Sequence, residues 1–185
     1  VNRIQPFPEV ADLVDCIRGH NFRSLSFDLI YGLPHQDRYT MDDTLRKTIA
    51  LRPDRIACYN YAHLPERFSS QRAIDRLSLP EPREKLLLQQ IISHTLQEAG
   101  YLHIGMYHYV LPDDELAIAQ GEGRLQRNFQ GYSLHMADDL LGLGVSAISQ
   151  IGDFYLQNER NLDAYYQLID AAKLPANRGC KVTSE

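Results

Sequence analysis

Leu25-Ser-Phe-Asp-Leu-Ile-Tyr31 is a short apolar run closed by Gly32-Leu33-Pro34. Its length and its turn-forming close make it a buried strand rather than a helix. A second run, Arg55-Ile-Ala-Cys-Tyr-Asn-Tyr-Ala62, closes on His63-Leu64-Pro65, so the same Leu-Pro punctuation recurs like a repeated strand–helix unit. Helical patterns surround the two strands. From Pro8 to His20, Val10, Leu13, Val14 and Ile17 share one face at the i, i+3, i+4, i+7 spacing. Thr40 is placed to cap a helix over Met41 to Leu51, with Asp42 and Asp43 favourable at its positive end. Pro82 to Ala99 is the clearest helix, with Leu87, Leu88, Ile91, Thr95 and Leu96 as its core stripe and Gly100 as its stop. Tyr101 to Val110 is a third strand. Alternating helices and strands predict parallel strands under covering helices, an α/β sheet or barrel.

After Leu111 the character changes. Asp113 to Gln120 reads as a short helix, and a polar, aromatic, Gly-containing stretch runs through Tyr132. Leu140 to Ile151 is apolar but carries Gly142 and Gly144, whose simplest use is close backbone packing. A last helix is expected over Asn161 to Ala172, and Pro175 to Glu185 reads as a connection without strand or helix. The division expected is therefore 1–110 and 111–185.

Composition narrows the function classes. The 185 residues are 44% hydrophobic and 23% charged, which is globular. Nineteen Lys and Arg against 24 Asp and Glu give a net charge of −5, unsuited to tracking a nucleic-acid backbone. No run of about 18 apolar residues is present to cross a membrane as a helix. Cys16, Cys58 and Cys180 are too scattered for a disulfide framework or a metal knuckle, and fit a reducing compartment. The chain starts on Val1, which reads as a processed or cut end.

A few polar residues resist a purely structural reading. Asp28 lies inside a strand expected to be covered on both faces, and a buried carboxylate needs a partner: a protein cation, a backbone cluster, or a ligand hydroxyl or amine. Asn60 and Ala62 lie at the end of the second strand, where α/β folds bind ligands. Arg124, Arg127, Asn128, Gln130 and Tyr132 form a dense polar cluster, either a solvated loop or a clamp for carboxylates. His103 and His108 lack the spacing of a helical ligand pair, and no metal site is expected there.

Taken in order, several strings are more specific than any one of them: Val1-Asn-Arg3, Phe27-Asp-Leu-Ile-Tyr-Gly-Leu-Pro34, Asn60-Tyr-Ala-His-Leu-Pro65, Ile104-Gly-Met106, Pro112-Asp-Asp-Glu-Leu-Ala117, Arg127-Asn-Phe-Gln-Gly-Tyr132 and Leu141-Gly-Leu-Gly-Val-Ser-Ala-Ile-Ser149. Over essentially the whole chain they resemble the middle of the oxygen-independent coproporphyrinogen III oxidases, a radical-SAM family of heme biosynthesis. Asp-Leu-Ile-Tyr-Gly-Leu-Pro points to the wider family and Arg-Asn-Phe-Gln-Gly-Tyr to this branch.

The resemblance implies the C-terminal half of a (β/α)6 partial barrel over 1–110, followed by a mixed α+β extension over 111–185. It implies two S-adenosylmethionine molecules and one [4Fe-4S] cluster per complete enzyme, and oxidative decarboxylation of two propionates of coproporphyrinogen III to vinyl groups, giving protoporphyrinogen IX. The family's S-adenosylmethionine contacts fall on Arg3, Asp28, Ala62 and Ile148. Arg124, Arg127 and Tyr132 are the candidates for the substrate carboxylates on their chemistry. The resemblance also implies an electron donor and acceptor of unspecified identity, a monomer, and a cytoplasmic setting.

Two departures stand out. The Cys-x-x-x-Cys-x-x-Cys motif that holds the cluster is absent, so no metal ligand is expected in these residues and the isolated chain is expected to be inactive. Tyr107-His-Tyr-Val110 replaces the Asp-His-Phe-Ala that the family carries after Ile-Gly-Met. The alternatives are a heme-binding chaperone of the same superfamily and an inert remnant. The chaperone branch follows its Asn with Tyr-Trp, whereas this chain has Phe129-Gln-Gly-Tyr132 and no tryptophan.

Overall fold

A computed structural model describes residues 4–128, 131–134 and 139–182. The chain forms two compact units, Val1–Arg124 and Leu125–Glu185. The sequence division at 110/111 separates motifs; the compact units divide 14 residues later, at 124/125.

The first unit opens with α1 (Phe7–Gly19), β1 (Ser26–Tyr31), α2 (Arg38–Leu51) and β2 (Arg55–Asn60). It continues with α3 (Pro82–Glu98), β3 (Leu102–Gly105), β4 (His108–Val110) and α4 (Glu115–Gly121). β1 and β2 pair in parallel, with Asp28 beside Ala57 and Ile30 beside Tyr59. The third strand expected over Tyr101–Val110 is instead a hairpin. Gly105 and Met106 both take positive φ, which folds the run back on itself, and β4 pairs antiparallel with both β2 and β3. The sheet order is β1-β2-β4-β3, so the sheet is mixed where the alternation predicted parallel strands throughout.

The helices bury one face of this sheet. Met41 and Leu45 of α2 and Leu88, Ile92 and Leu96 of α3 pack with Tyr31, Ile56, Cys58 and Tyr109 of the strands. The α3 stripe is thus rotated from the expected one: Leu87 is exposed and Ile92 takes the core position. In α1, Val14 is buried while Leu13 is exposed. α2 starts earlier than Thr40 predicts. Asp37 is its cap, accepting from the Thr40 N–H at 2.8 Å, and the Thr40 hydroxyl accepts from the Asp37 N–H at 2.9 Å. This reciprocal arrangement satisfies two backbone donors at the helix start. Arg18 of α1 donates to the carbonyls of Leu51 and Arg52 and so ties α1 to the C-terminal end of α2.

The second unit contains β5 (Gln126–Asn128), β6 (Gly131–Ser133), β7 (Asp139–Leu140), β8 (Ile148–Ile151), β9 (Phe154–Asn158), α5 (Leu162–Asp170) and β10 (Ala176–Lys181). β5 and β6 form a hairpin; β10, β9, β8 and β7 form an antiparallel sheet in that order. The segment read as a bare connection is therefore largely a strand. β10 is exposed along its whole length and bulged between Ala176 and Arg178, so no apolar alternation marks it in the sequence. Gly142 does pack closely: a Cβ there would lie 2.7 Å from the Ile148 carbonyl oxygen.

Candidate functional site

The first unit carries a carboxylate beside an aromatic cluster. Asp28, Ser26 and Ile30 project from the face of β1 that the helices leave uncovered, and all three are exposed. The expectation of a buried Asp28 is therefore corrected. It assumed that both sheet faces are covered, and along β1 only the face of Leu29 and Tyr31 is. Among the described residues nothing donates a hydrogen bond to Asp28, so its carboxylate is available as an acceptor.

Beside it, Tyr59 of β2 packs at a tilt of 50° against Tyr107, one of the two turn residues between β3 and β4, with ring centroids 4.5 Å apart. His108 follows at 4.7 Å from Tyr107 and presents its edge to Tyr59 at 6.4 Å. Burial first, then the Asp28 carboxylate and Tyr107, push the Tyr59 hydroxyl above its ordinary value. Tyr59 thus stays a neutral hydrogen-bond donor next to an ionisable acceptor. A cavity of about 320 Å³ opens between this cluster and α3, lined in part by Tyr59, Met106, Tyr107 and Gln89. The arrangement can accept from a hydroxyl or ammonium while an aromatic surface packs a flat group. Sequence reading singled out Tyr107 as a departure but missed its contact with Tyr59. The signal available was a tyrosine in each of two strand-end motifs, which only the hairpin brings together.

Ala62 lies just beyond the end of β2 and is exposed; its carbonyl accepts from Gln71 at 3.2 Å. Asp28 and Ala62 thus belong to the same unit. Arg3 and Gln130 lie outside the described residues. Arg124 closes the first unit with its guanidinium engaged on Glu122, Nε donating to Oε2 at 2.7 Å.

The remaining candidates belong to the second unit. Ile148 opens β8, half-buried, and lines a groove of about 550 Å³ with Tyr155, Gln157 and Arg178. Arg127 and Tyr132 face each other across the β5–β6 pair, the guanidinium 5.5 Å from the ring centroid. This cation–π contact fixes the Arg127 head while leaving its N–H edge for an anion.

Asp114 is placed by a different demand. It is buried, caps α4 through the Leu116 N–H at 2.8 Å and accepts from Arg55 Nε at 2.8 Å. Glu115 takes the other side of the same guanidinium at 2.7 Å. Asp114 and Glu115 therefore serve to pin α4 to β2.

The residues present do not fit an iron–sulfur cluster. Among the described residues no group of three or more His, Cys, Asp or Glu side chains is placed to hold a metal ion. Cys58 is buried with its thiol pushed up to about 12 by burial, while Cys16 and Cys180 are exposed on α1 and β10. No helix among the described residues is long and apolar enough to cross a membrane.

No family model matches the sequence. The chain is 50% identical over all 185 residues to the oxygen-independent coproporphyrinogen III oxidase of Pseudomonas aeruginosa, covering 40% of that protein. It is 46% identical over the same length to the enzyme of the same name from Synechocystis, and 47% identical over 186 residues to that of Escherichia coli, again covering 40% of each. A solved structure of the Escherichia coli coproporphyrinogen III oxidase, described as a radical SAM enzyme, superposes with a TM-score of 0.95 at 47% identity, over 99% of this chain and 42% of that one. The chain thus spans about two fifths of the length of the curated relatives it matches, and is homologous to them from end to end.

Proposed function

We propose that this chain, a homologue along its whole length of the radical-SAM oxygen-independent coproporphyrinogen III oxidases, supplies cofactor- and substrate-binding residues for the oxidative decarboxylation of coproporphyrinogen III. The single observation that carries the reading is the match along all 185 residues of this chain at about half identity, joined to the structural match. All the relatives named above are oxidases, which favours this reading over a heme chaperone.

S-adenosylmethionine, when bound and cleaved by one electron from the reduced cluster, would supply a 5′-deoxyadenosyl radical to take a hydrogen atom from a propionate side chain; loss of carbon dioxide and of one electron to the acceptor would then leave a vinyl group. Two such molecules are proposed per complete enzyme, with Arg3, Asp28, Ala62 and Ile148 as contacts. Asp28 accepts from a hydroxyl or ammonium of the ligand, which its exposed and unengaged carboxylate supports. Ala62 leaves space against the backbone beyond β2, and Ile148 offers an apolar surface to a flat ring. The proposal takes the thiolates that hold the cluster from outside these 185 residues, since Cys16, Cys58 and Cys180 form no metal-holding group among the described residues.

Of the carboxylate-binding candidates, Arg127 is the readiest. Its stacking on Tyr132 orients it without neutralising it, whereas Arg124 must first exchange Glu122 for the substrate. An electron donor and acceptor are required by the redox balance, and a cytoplasmic monomer remains part of the proposal.

The test is a graft. These 185 residues replace the matching stretch of the Escherichia coli enzyme, and anaerobic turnover of coproporphyrinogen III is followed with S-adenosylmethionine and a reductant. Protoporphyrinogen is expected, and Asp28→Asn in the graft should weaken S-adenosylmethionine binding about tenfold, the loss of one to two charge-assisted hydrogen bonds. Formation of 5′-deoxyadenosine without any decarboxylated porphyrin would overturn the oxidase reading.

A further inference from the structure

The helix-covered side of the first unit holds a second cavity, of about 540 Å³, lying between residues 60–80 and the first turns of α3. We propose that it is a binding site for a small oxyanion, a carboxylate or phosphate group carried on an apolar body. Its size is that of an ordinary small-molecule site.

The charge around it is one-sided. Arg76 and Lys85 line the cavity together with His63, against a single carboxylate, Glu81. The Arg76 guanidinium makes no hydrogen bond and no ion pair with any described residue. Lys85 makes no ion pair, and its Nζ reaches only the Tyr61 carbonyl, at a long 3.4 Å. Four other cations among the described residues are instead engaged by carboxylates. Arg46 and Lys47 pair with Asp43, Arg55 with Asp114 and Glu115, and Arg124 with Glu122. In a chain of net charge −5, two uncommitted cations on one cavity are a ready partner for an anion.

The backbone is shaped to bring Lys85 there. Gly32 turns the chain at the end of β1 with φ +85°, and a Cβ on it would lie 3.1 Å from Lys85 Cε and 3.3 Å from Asn60 Oδ1. The glycine therefore serves both the turn and the close passage of the lysine stem. Asn60 lines the same cavity with a side-chain amide that has no hydrogen-bond partner among the described residues. Leu79, Pro80 and Leu86 complete the wall, which suits the apolar body of the ligand.

The 185-residue chain is titrated with inorganic phosphate and, separately, with succinate at constant ionic strength, with binding read by calorimetry and amide chemical shifts. Saturable binding of at least one is expected, with shifts centred on residues 60–85; the tighter probe identifies the source as phosphate or carboxylate. The pair Arg76→Gln and Lys85→Met should weaken binding at least tenfold. Methionine keeps the stem across Gly32, and an unchanged circular dichroism spectrum shows that the fold is retained. Glu81→Gln should tighten binding several-fold. Saturation by neither probe, or binding unchanged in the double variant, overturns the proposal. None of these readouts depends on radical chemistry, so its failure is distinct from failure of the oxidase reading.

Discussion

The two units of this chain are stabilised by different physics. In the first, large apolar side chains from α2 and α3 close over the strands, and Met41, Leu45, Ile56, Ile92 and Leu96 are nearly inaccessible. In the second, the buried residues among those described are Ser149 and Asn158, both polar. Its strands are held by backbone pairing and by side chains that finish the loops. Asn158 Nδ2 donates to the carbonyls of Gly142 and Gly144 at 3.2 and 2.9 Å, and Ser149 Oγ accepts from the Gly142 N–H at 3.0 Å. One unit repays chain entropy with apolar burial. The other relies on satisfied polar groups, whose net contribution is smaller but whose loss is costly.

The sharpest way to break that contrast is to remove apolar volume from the first unit. Leu45→Ala deletes a fully inaccessible side chain. The cost expected is about 2 to 5 kcal/mol, read as a lowered denaturant midpoint by circular dichroism. A cost below about 1 kcal/mol, within the range of an ordinary surface change, would mean that the α2–α3 layer is not the core that holds this unit.

In the second unit a polar deletion should cost more than an apolar one. Asn158→Ala strands two carbonyls and is expected to cost about 1 to 3 kcal/mol. Leu156→Ala, at a half-buried neighbour on the same strand, should cost less than Asn158→Ala. Hydrogen exchange of the amides in β8 and β9 reads both. If the leucine proves the more expensive of the two, the second unit has an apolar core after all.

The same contrast explains what the sequence could disclose. Wherever burial is apolar and periodic, the elements were legible: β1, β2 and α3 all stand within a few residues of their expected bounds. Wherever structure rests on polar satisfaction or positive φ, they were not. Met106 at φ +47° makes a hairpin out of an apparent single strand, and Asp37 rather than Thr40 starts α2, because both can cap and spacing alone does not choose. β10 carries Ala-Asn-Arg-Gly-Cys-Lys without alternation, since neither of its faces is buried. Asp28 and Ala62 were candidates by motif, but the exposure of Asp28 follows from which sheet face the helices cover. The Tyr59–Tyr107 contact joins residues 48 positions apart, and no local pattern announces it.

The smallest expected effect uses one thiol from each unit as a reporter. Cys58 lies in the core of the first unit and Cys180 on the exposed β10 of the second. Burial raises the Cys58 pKa from 9.0 to about 12, so near pH 8 it is a protonated, shielded thiol and a poor nucleophile. Iodoacetamide at that pH should modify Cys180, and Cys16 on α1, while leaving Cys58 intact until denaturant is added; peptide mass mapping reads the pattern. Because the folded-state pKa lies above the unfolded one, the folded chain binds the extra proton between the two values. The stabilisation from keeping Cys58 neutral is therefore fully present below about pH 9 and is lost as the pH climbs from there towards 12. Replacing Cys58 with alanine should flatten that part of the pH–stability curve. Rapid labelling of Cys58 under native conditions would show that the helical layer of the first unit opens far more readily than its packing implies.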